Sequence, residues 1–248
     1  MFLIDKEKLF FGAAINYNDI CWIYPLKIKE IIGMGVNSYN EKISLLCSDI
    51  GTIQKELKKE GVPIEDMCSS VLEYLLLQAY VDRTFLVKLQ EAFFTFIKEK
   101  VRFLFDEKEI LIGDDFSERR VLNEDNFEDF QNILREQNRL PVPEPIPKNE
   151  TPMARKFRLR REQVAEAKRR QAEKEGEIIT LIDSISTLMC LVPGTTEEEI
   201  KRMSIYQLKE RLSRAQAKYK YDLDIRMIAA GADPKKIKPK HWFGKIDF

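Results

Sequence analysis

The sequence predicts a mainly α protein with a small antiparallel β element, its two helical regions joined by a proline-rich linker. Three observations carry this expectation. Apolar residues recur at the i, i+3, i+4 spacing of a helix face over much of the chain. Two short pairs of apolar runs flank turn residues in the manner of hairpins. The stretch LPVPEPIPKNETP, residues 140–152, holds five of the ten prolines. Proline fixes φ and lacks an N–H, so that run fits neither a helix nor a sheet interior and reads as an extended spacer. The expected organisation is a mostly helical N-terminal domain with small β-hairpins over 1–139, a linker over 140–152, and a helical C-terminal region with an aromatic tail over 153–248.

Along the first region, AINY and ICWIY flank Asn18-Asp19, a pair that tolerates turn geometry, and Pro25 ends the second strand. Helices are expected around 27–34, 38–48 and 51–60. A stronger one spans 64–80, with Met67, Cys68, Val71, Leu72, Leu75, Leu76 and Ala79 on one face. Asp82 starts the next, which turns Phe85, Leu86, Leu89, Phe93, Phe96 and Ile97 to one side. VRFLF and EILIG, separated by Asp-Glu-Lys, read as a hairpin capped by Gly113. A helix from about 124 to 137 buries Phe127, Phe130, Ile133 and Leu134.

The second region opens with Thr151 as N-cap and Pro152 at the first helical position. Residues 154–175 carry only Phe157 and Val164 as sizeable apolar residues at helical spacing, so this helix cannot bury a broad face. Past Gly176, a stripe of Ile178, Leu181, Ile182, Ile185, Leu188 and Met189 is expected to be buried, and Pro193-Gly194 ends it. Thr196 with Glu199 and Ser204 with Gln207 form capping boxes. The last helix, 204–230, carries Ile205, Leu208, Leu212, Ala215 and Tyr219 at 3-4-3-4 spacing, then Leu223, Met227 and Ala230. The narrow seam is of the coiled-coil kind, too short for a coiled coil and suited to a helix hairpin with 178–190.

Composition bounds the chemistry. A hydrophobic fraction of 44% in 248 residues supports a packed core. The 41 basic and 41 acidic residues cancel, which argues against a protein that simply coats nucleic acid. Cys21, Cys47, Cys68 and Cys190 lie far apart with no CxxC pair, so neither a zinc site nor a disulfide frame is expected and buried thiols are the plainer reading. No run approaches the ~18 apolar residues of a membrane span, and the charged N-terminus is a poor signal peptide. One histidine, His241, leaves little room for a Ser-His-Asp or Cys-His nucleophile system. No phosphate-cradling glycine loop occurs. Asp106, Glu107, Glu109, Asp114 and Asp115 could in principle hold the metals of a two-metal nuclease, but solvated turn carboxylates are the plainer reading. We therefore expect no enzyme, cofactor or metal.

Charge is unevenly placed. Arg155, Lys156, Arg158, Arg160, Arg161, Lys168, Arg169 and Arg170 face only Glu162 and Glu166, a local balance of +6, whereas 106–130 carries a balance of −7. Opposite fields could steer the two regions together or steer copies of the chain head to tail. The basic helix could instead meet nucleic-acid phosphates, although Phe157 alone offers little base stacking. The plainer alternative is a solvated helix.

Two stretches resemble proteins from the tail-gene regions of phages and prophages of Gram-positive bacteria. They are EILIGDD…VLNEDNFEDFQNILREQN at 109–138 and SIYQLKERLSRAQAKYKYDLDIRMIAAGADPKKIKPKHWFGKI at 204–246. These proteins are similar to tail assembly chaperones of long-tailed phages. The resemblance implies a non-catalytic protein of the host cytoplasm that binds a tail tape measure protein and/or a tail tube protein. A minor structural protein of the particle, or a nucleic-acid-binding factor acting through 155–170, are the alternatives. His241, Trp242 and Phe243, with Ile237 ahead of them, are the candidate partner-binding residues. The tail either docks on a partner or packs on its own terminal helix.

Overall fold

The computed structural model describes residues 2–61, 68–113, 119–142, 151–175 and 179–244. The protein is mainly helical with two small antiparallel sheets, as the sequence predicts. The first helix, α1 (Lys6–Phe11), is capped by the Asp5 carboxylate and leads into the hairpin β1 (Ile15–Tyr17) and β2 (Cys21–Ile23). Asn18 and Asp19 both take positive φ, and the Ile20 amide donates to the Tyr17 carbonyl, which is the turn their side chains tolerate. Helices α2 (Ile28–Met34), α3 (Val36–Leu46) and α4 (Ile50–Lys59) follow, the last capped by Asp49.

Helix α5 (Val71–Val81) is shorter than its apolar spacing predicts. Ser70 caps it, its hydroxyl accepting from the Glu73 amide, while the Glu73 carboxylate accepts from the Ser69 amide. That reciprocal cap starts the helix at residue 71 and leaves Cys68 buried outside it; Met67 lies outside the described residues. Helix α6 (Arg83–Ile97) starts at the Asp82 cap and buries Leu89, Phe93, Phe96 and Ile97. Strands β3 (Val101–Leu104) and β4 (Glu109–Ile112) form the expected hairpin, and β5 (Val121–Leu122) adds a third strand that the sequence did not announce. Two residues are too few for an alternation signal.

Helix α7 (Phe127–Gln137) lies at the centre. Its apolar face, Phe127, Phe130, Ile133 and Leu134, is fully buried, with Phe130 stacked on Phe93. Its polar face is buried too. Gln131 donates to the Leu46 carbonyl, and Arg135 donates to the carbonyls of Cys47 and Ser48 at the end of α3. A cation there answers the free carbonyls and the negative end of the α3 dipole.

The C-terminal region comprises α8 (Pro152–Glu175), α9 (Leu181–Leu191), α10 (Glu197–Arg202), α11 (Ile205–Ala229) and the single turn α12 (Pro234–Ile237). The Thr151 hydroxyl caps α8 as predicted. Pro143, Pro145 and Pro147 of the proline-rich stretch lie outside the described residues. The segments on either side of it share one hydrophobic core. Leu188, Ile200, Met203, Ile205, Tyr206 and Leu208 pack into the same cluster as Ile28, Phe93 and Phe130. The Ile28 amide donates to the Met203 carbonyl at 2.8 Å, and Lys27 and Ser204 form a β-bridge. Arg139, just past α7, pairs with Glu210 of α11 at 2.5 Å and lies over the Tyr206 ring.

The stripe of α9 is narrower than expected. Leu188 is buried and Leu181, Ile185 and Met189 pack partly on the core, but Ile182 is 72% exposed. Helix α11 is the main neighbour of α9, and Ile182, in the first turn of α9, lies outside the part that is covered. Ile178 lies outside the described residues. Among the cysteines, Cys21 and Cys68 are buried and Cys47 is half-buried, but Cys190 is exposed on the outer face of α9, against expectation.

Two outcomes follow. Leu208→Ala should lower the stability of the whole chain by about 2–5 kcal/mol. Denaturant unfolding followed by circular dichroism should stay a single transition, because Leu208 belongs to a core shared by both regions. The Glu73 carboxyl is held down to about 2, from 4.5, first by its hydrogen bond to Lys108 and then by those to Ser69. A depressed carboxyl stabilises the fold above its unfolded value and loses that contribution as pH falls through the folded one. Glu73→Gln should therefore lower Tm at neutral pH, and the difference from wild type should vanish between about 4.5 and about 2.

Candidate functional site

The long helix α11 carries its apolar seam from the core into solvent. Ile205 and Leu208 are buried, and Leu212 and Ala215 pack partly against the cluster. Tyr219, Leu223 and Met227 continue the same stripe but are 59%, 44% and 42% exposed. Lengths account for the change. Helix α9 has 11 residues, about 16 Å, and α11 has 25, about 37 Å, so α9 cannot cover the whole seam.

On the opposite face of α11, that of Arg214, Lys218 and Tyr221, lies the C-terminal tail. The helix stops where predicted, with Gly231 at a φ of +100° and the Ala232 amide donating to the Met227 carbonyl. The chain then reverses through α12, and Ile237 there is half-buried. The His241 ring reaches Tyr221 at 4.9 Å between centroids. Trp242 lies under the Lys218 ammonium at 5.9 Å, and Arg214 donates to the carbonyls of Trp242 and Gly244. The tail thus folds back along its own terminal helix. The fold-back is incomplete as a burial: Trp242 is half-buried, while Phe243 remains 67% exposed with its ring against His241 and Trp242. Thus His241, Trp242 and Phe243 do come together, in one aromatic cluster on the side of α11 away from the free half of the seam. The residues that hold it, Arg214, Lys218 and Tyr221, carry no sequence signal, because they are ordinary polar positions on a long helix. Around the cluster Lys218, Lys220, Arg226, Lys236, Lys238 and Lys240 are exposed, giving this end a positive rim.

The basic helix stands apart from that cluster in sequence. Arg155, Lys156, Arg160, Arg161 and Lys168 are exposed and Arg158 is half-buried. The side chains of Arg169 and Arg170 lie outside the described residues. Elsewhere, burial pushes the Cys21 and Cys47 thiols up to about 12, so both are protonated at neutral pH. Of the acidic turn residues, Glu109 accepts from Arg119 at 2.7 Å; Asp114 and Asp115 lie outside the described residues. Among the described residues no three His, Cys, Asp or Glu side chains come together as a metal site, and no helix is long and apolar enough to cross a membrane.

With this geometry in view, one comparison bears on origin. Residues 169–247 match the family described as YomV second domain. That family is phage-derived, from a Bacillus prophage protein, so about a third of this chain is similar to a phage-associated domain. The matched span runs from the last turns of α8 to the tail and contains α9 to α12, the free seam and the aromatic cluster together. No curated protein and no solved structure matches the chain.

The tail contacts predict a separable response. In a Trp22→Phe background, Lys218→Ala with Tyr221→Ala should red-shift Trp242 emission and speed tryptic cleavage at Lys240, with the global Tm little changed. Both side chains meet only the tail rings, on the part of α11 that lies beyond the core. A large fall in Tm would mean that the tail is part of the folding unit.

Proposed function

We propose that this protein is a non-catalytic phage tail assembly chaperone, acting in the host cytoplasm, which holds a tail tape measure protein and/or a tail tube protein. The observation that carries the reading is the uncovered half of the α11 seam: Tyr219, Leu223 and Met227, continuous with a buried seam, inside the span that matches a phage-derived domain. A helix stripe of this kind takes an apolar ridge of a partner, and aromatic side chains concentrate binding energy where such contacts form. The positive rim favours a partner with acidic flanks. The non-catalytic part of the reading is supported by the two thiols that burial keeps protonated and by the one histidine, which sits among aromatic rings.

The test is affinity purification of the tagged full chain from cells producing the phage, with partners identified by mass spectrometry. Recovery of the tape measure or tail tube protein is expected, with mature particles free of the bait. Tyr219→Asp, Leu223→Asp and Met227→Asp together should abolish that recovery without lowering Tm, since the three positions are exposed. Bait retained in mature particles would turn the reading to a minor structural protein. Recovery of nucleic acid alone would overturn it.

A further inference from the structure

Two exposed faces of this chain, outside the surface just described, have opposite character. The first is on α8. Met153, Phe157 and Val164 are exposed and fall at i, i+4 and i+11, on one stripe of the helix. Lys156, Arg160 and Lys168 are exposed and flank that stripe. None of the described side chains of α8 belongs to the hydrophobic core.

The second face is on α5, beside the turn between β3 and β4. Leu77, Tyr80 and Val81 are 49%, 71% and 75% exposed and share a helix face with Glu73. The Tyr80 ring rests edge-on against Phe105 at 5.3 Å, which ties this apolar patch to the turn that carries Asp106 and Glu107. The cations there are already engaged, Lys108 by Glu73 at 2.6 Å and Arg119 by Glu109 at 2.7 Å. Exposed Asp106, Glu107 and Glu124 give the patch an acidic rim.

We infer that α8 of one copy docks on the α5 face of a second copy. Both terms match: three apolar side chains meet three, and a basic border meets an acidic one, which fixes orientation and rejects other pairings. Neither face suits itself, since α8 against α8 sets cation on cation and α5 against α5 sets acid on acid. The contact is therefore heterologous, and copies joined this way add head to tail. Nucleic acid would satisfy the cations of α8, but it would leave Met153, Phe157 and Val164 uncovered and has no use for the α5 patch. This inference does not rest on the chaperone reading, because it uses neither the α11 seam nor the tail.

Analytical ultracentrifugation of the full chain tests it. The sedimentation coefficient of the wild type should rise with protein concentration at low salt, and the rise should be lost at high salt. One variant carries Lys156→Glu, Arg160→Glu and Lys168→Glu, and the other carries Asp106→Lys, Glu107→Lys and Glu124→Lys. All six positions are exposed, and circular dichroism checks that both fold. Each variant alone should sediment as a monomer at every concentration. Their equimolar mixture should associate again, because the unaltered α8 of one meets the unaltered α5 face of the other and the two reversed faces are again opposite in charge. A wild type that stays monomeric at low salt, a mixture that stays monomeric, or association that persists in either variant alone would each overturn the proposal. Salt-sensitive retardation of a short DNA duplex by a wild type that does not self-associate would assign α8 to phosphate instead.

Discussion

The architecture hangs on one buried turn, Met203 to Leu208, where the start of α11 is sewn into the N-terminal half of the chain. Two helix N-termini meet there. The Ile28 amide at the head of α2 is satisfied by the Met203 carbonyl, and the Ser204 amide by the Gln207 side chain, which also reaches the Phe10 carbonyl. Lys27 spans to the Gly12 carbonyl, and Gly12 takes a φ of +64° in a space where an added Cβ would strike both Lys27 and Gln207. Unsatisfied amides at buried helix starts are costly, so this arrangement leaves little choice of register. With Ile205, Tyr206 and Leu208 buried around it, the turn sets the direction in which α11 leaves the core, and so the position of everything after it.

Much of this was legible in the sequence where local chemistry decides. The caps at Asp82, Thr151, Thr196 and Ser204 and the αL stop at Gly231 are signals within four residues, and each places a boundary. The face of α7 was equally clear, since its four large apolar residues at helical spacing have one way to be buried. What escaped was set by partners distant in sequence. Whether Ile182 is covered depends on where along α9 its neighbours reach. Whether Tyr219 and Leu223 continue a buried seam depends on the length of α9. The docking of the C-terminal region onto the N-terminal core rests on Arg139 meeting Glu210 and on Met203 meeting Ile28, pairs that no spacing announces. For the candidate surface, the aromatic triplet could be named from composition alone. Its supports, Arg214 and Tyr221, could not, because a long exposed helix gives every polar position the same appearance.

The distribution of apolar exposure follows a division of labour along the chain. Core-forming stripes are concentrated before residue 140 and in the first turns of α11, whereas α8 and the far half of α11 hold stripes too narrow or too long to be covered. A 24-residue helix such as α8 spans about 36 Å and cannot be compacted by a few apolar side chains. Its cations, like those at the end of α11, keep such stripes soluble in isolation and select what can approach them.

Helix α11 is in mechanical terms a cantilever: clamped at Ser204, free beyond Ala215. A helical segment of some dozen residues is only marginally stable in water when nothing packs on it. Its winding past the clamp therefore rests on side support, which the returning tail supplies through Arg214, Lys218 and Tyr221 on one face. Order along the rod should decline from root to tip, and the surface offered to a partner is also the part of the molecule closest to melting. A ligand that covers Tyr219, Leu223 and Met227 does more than bury apolar area. It braces the rod on its open side, and the stiffening of the tip becomes part of the free energy of the contact.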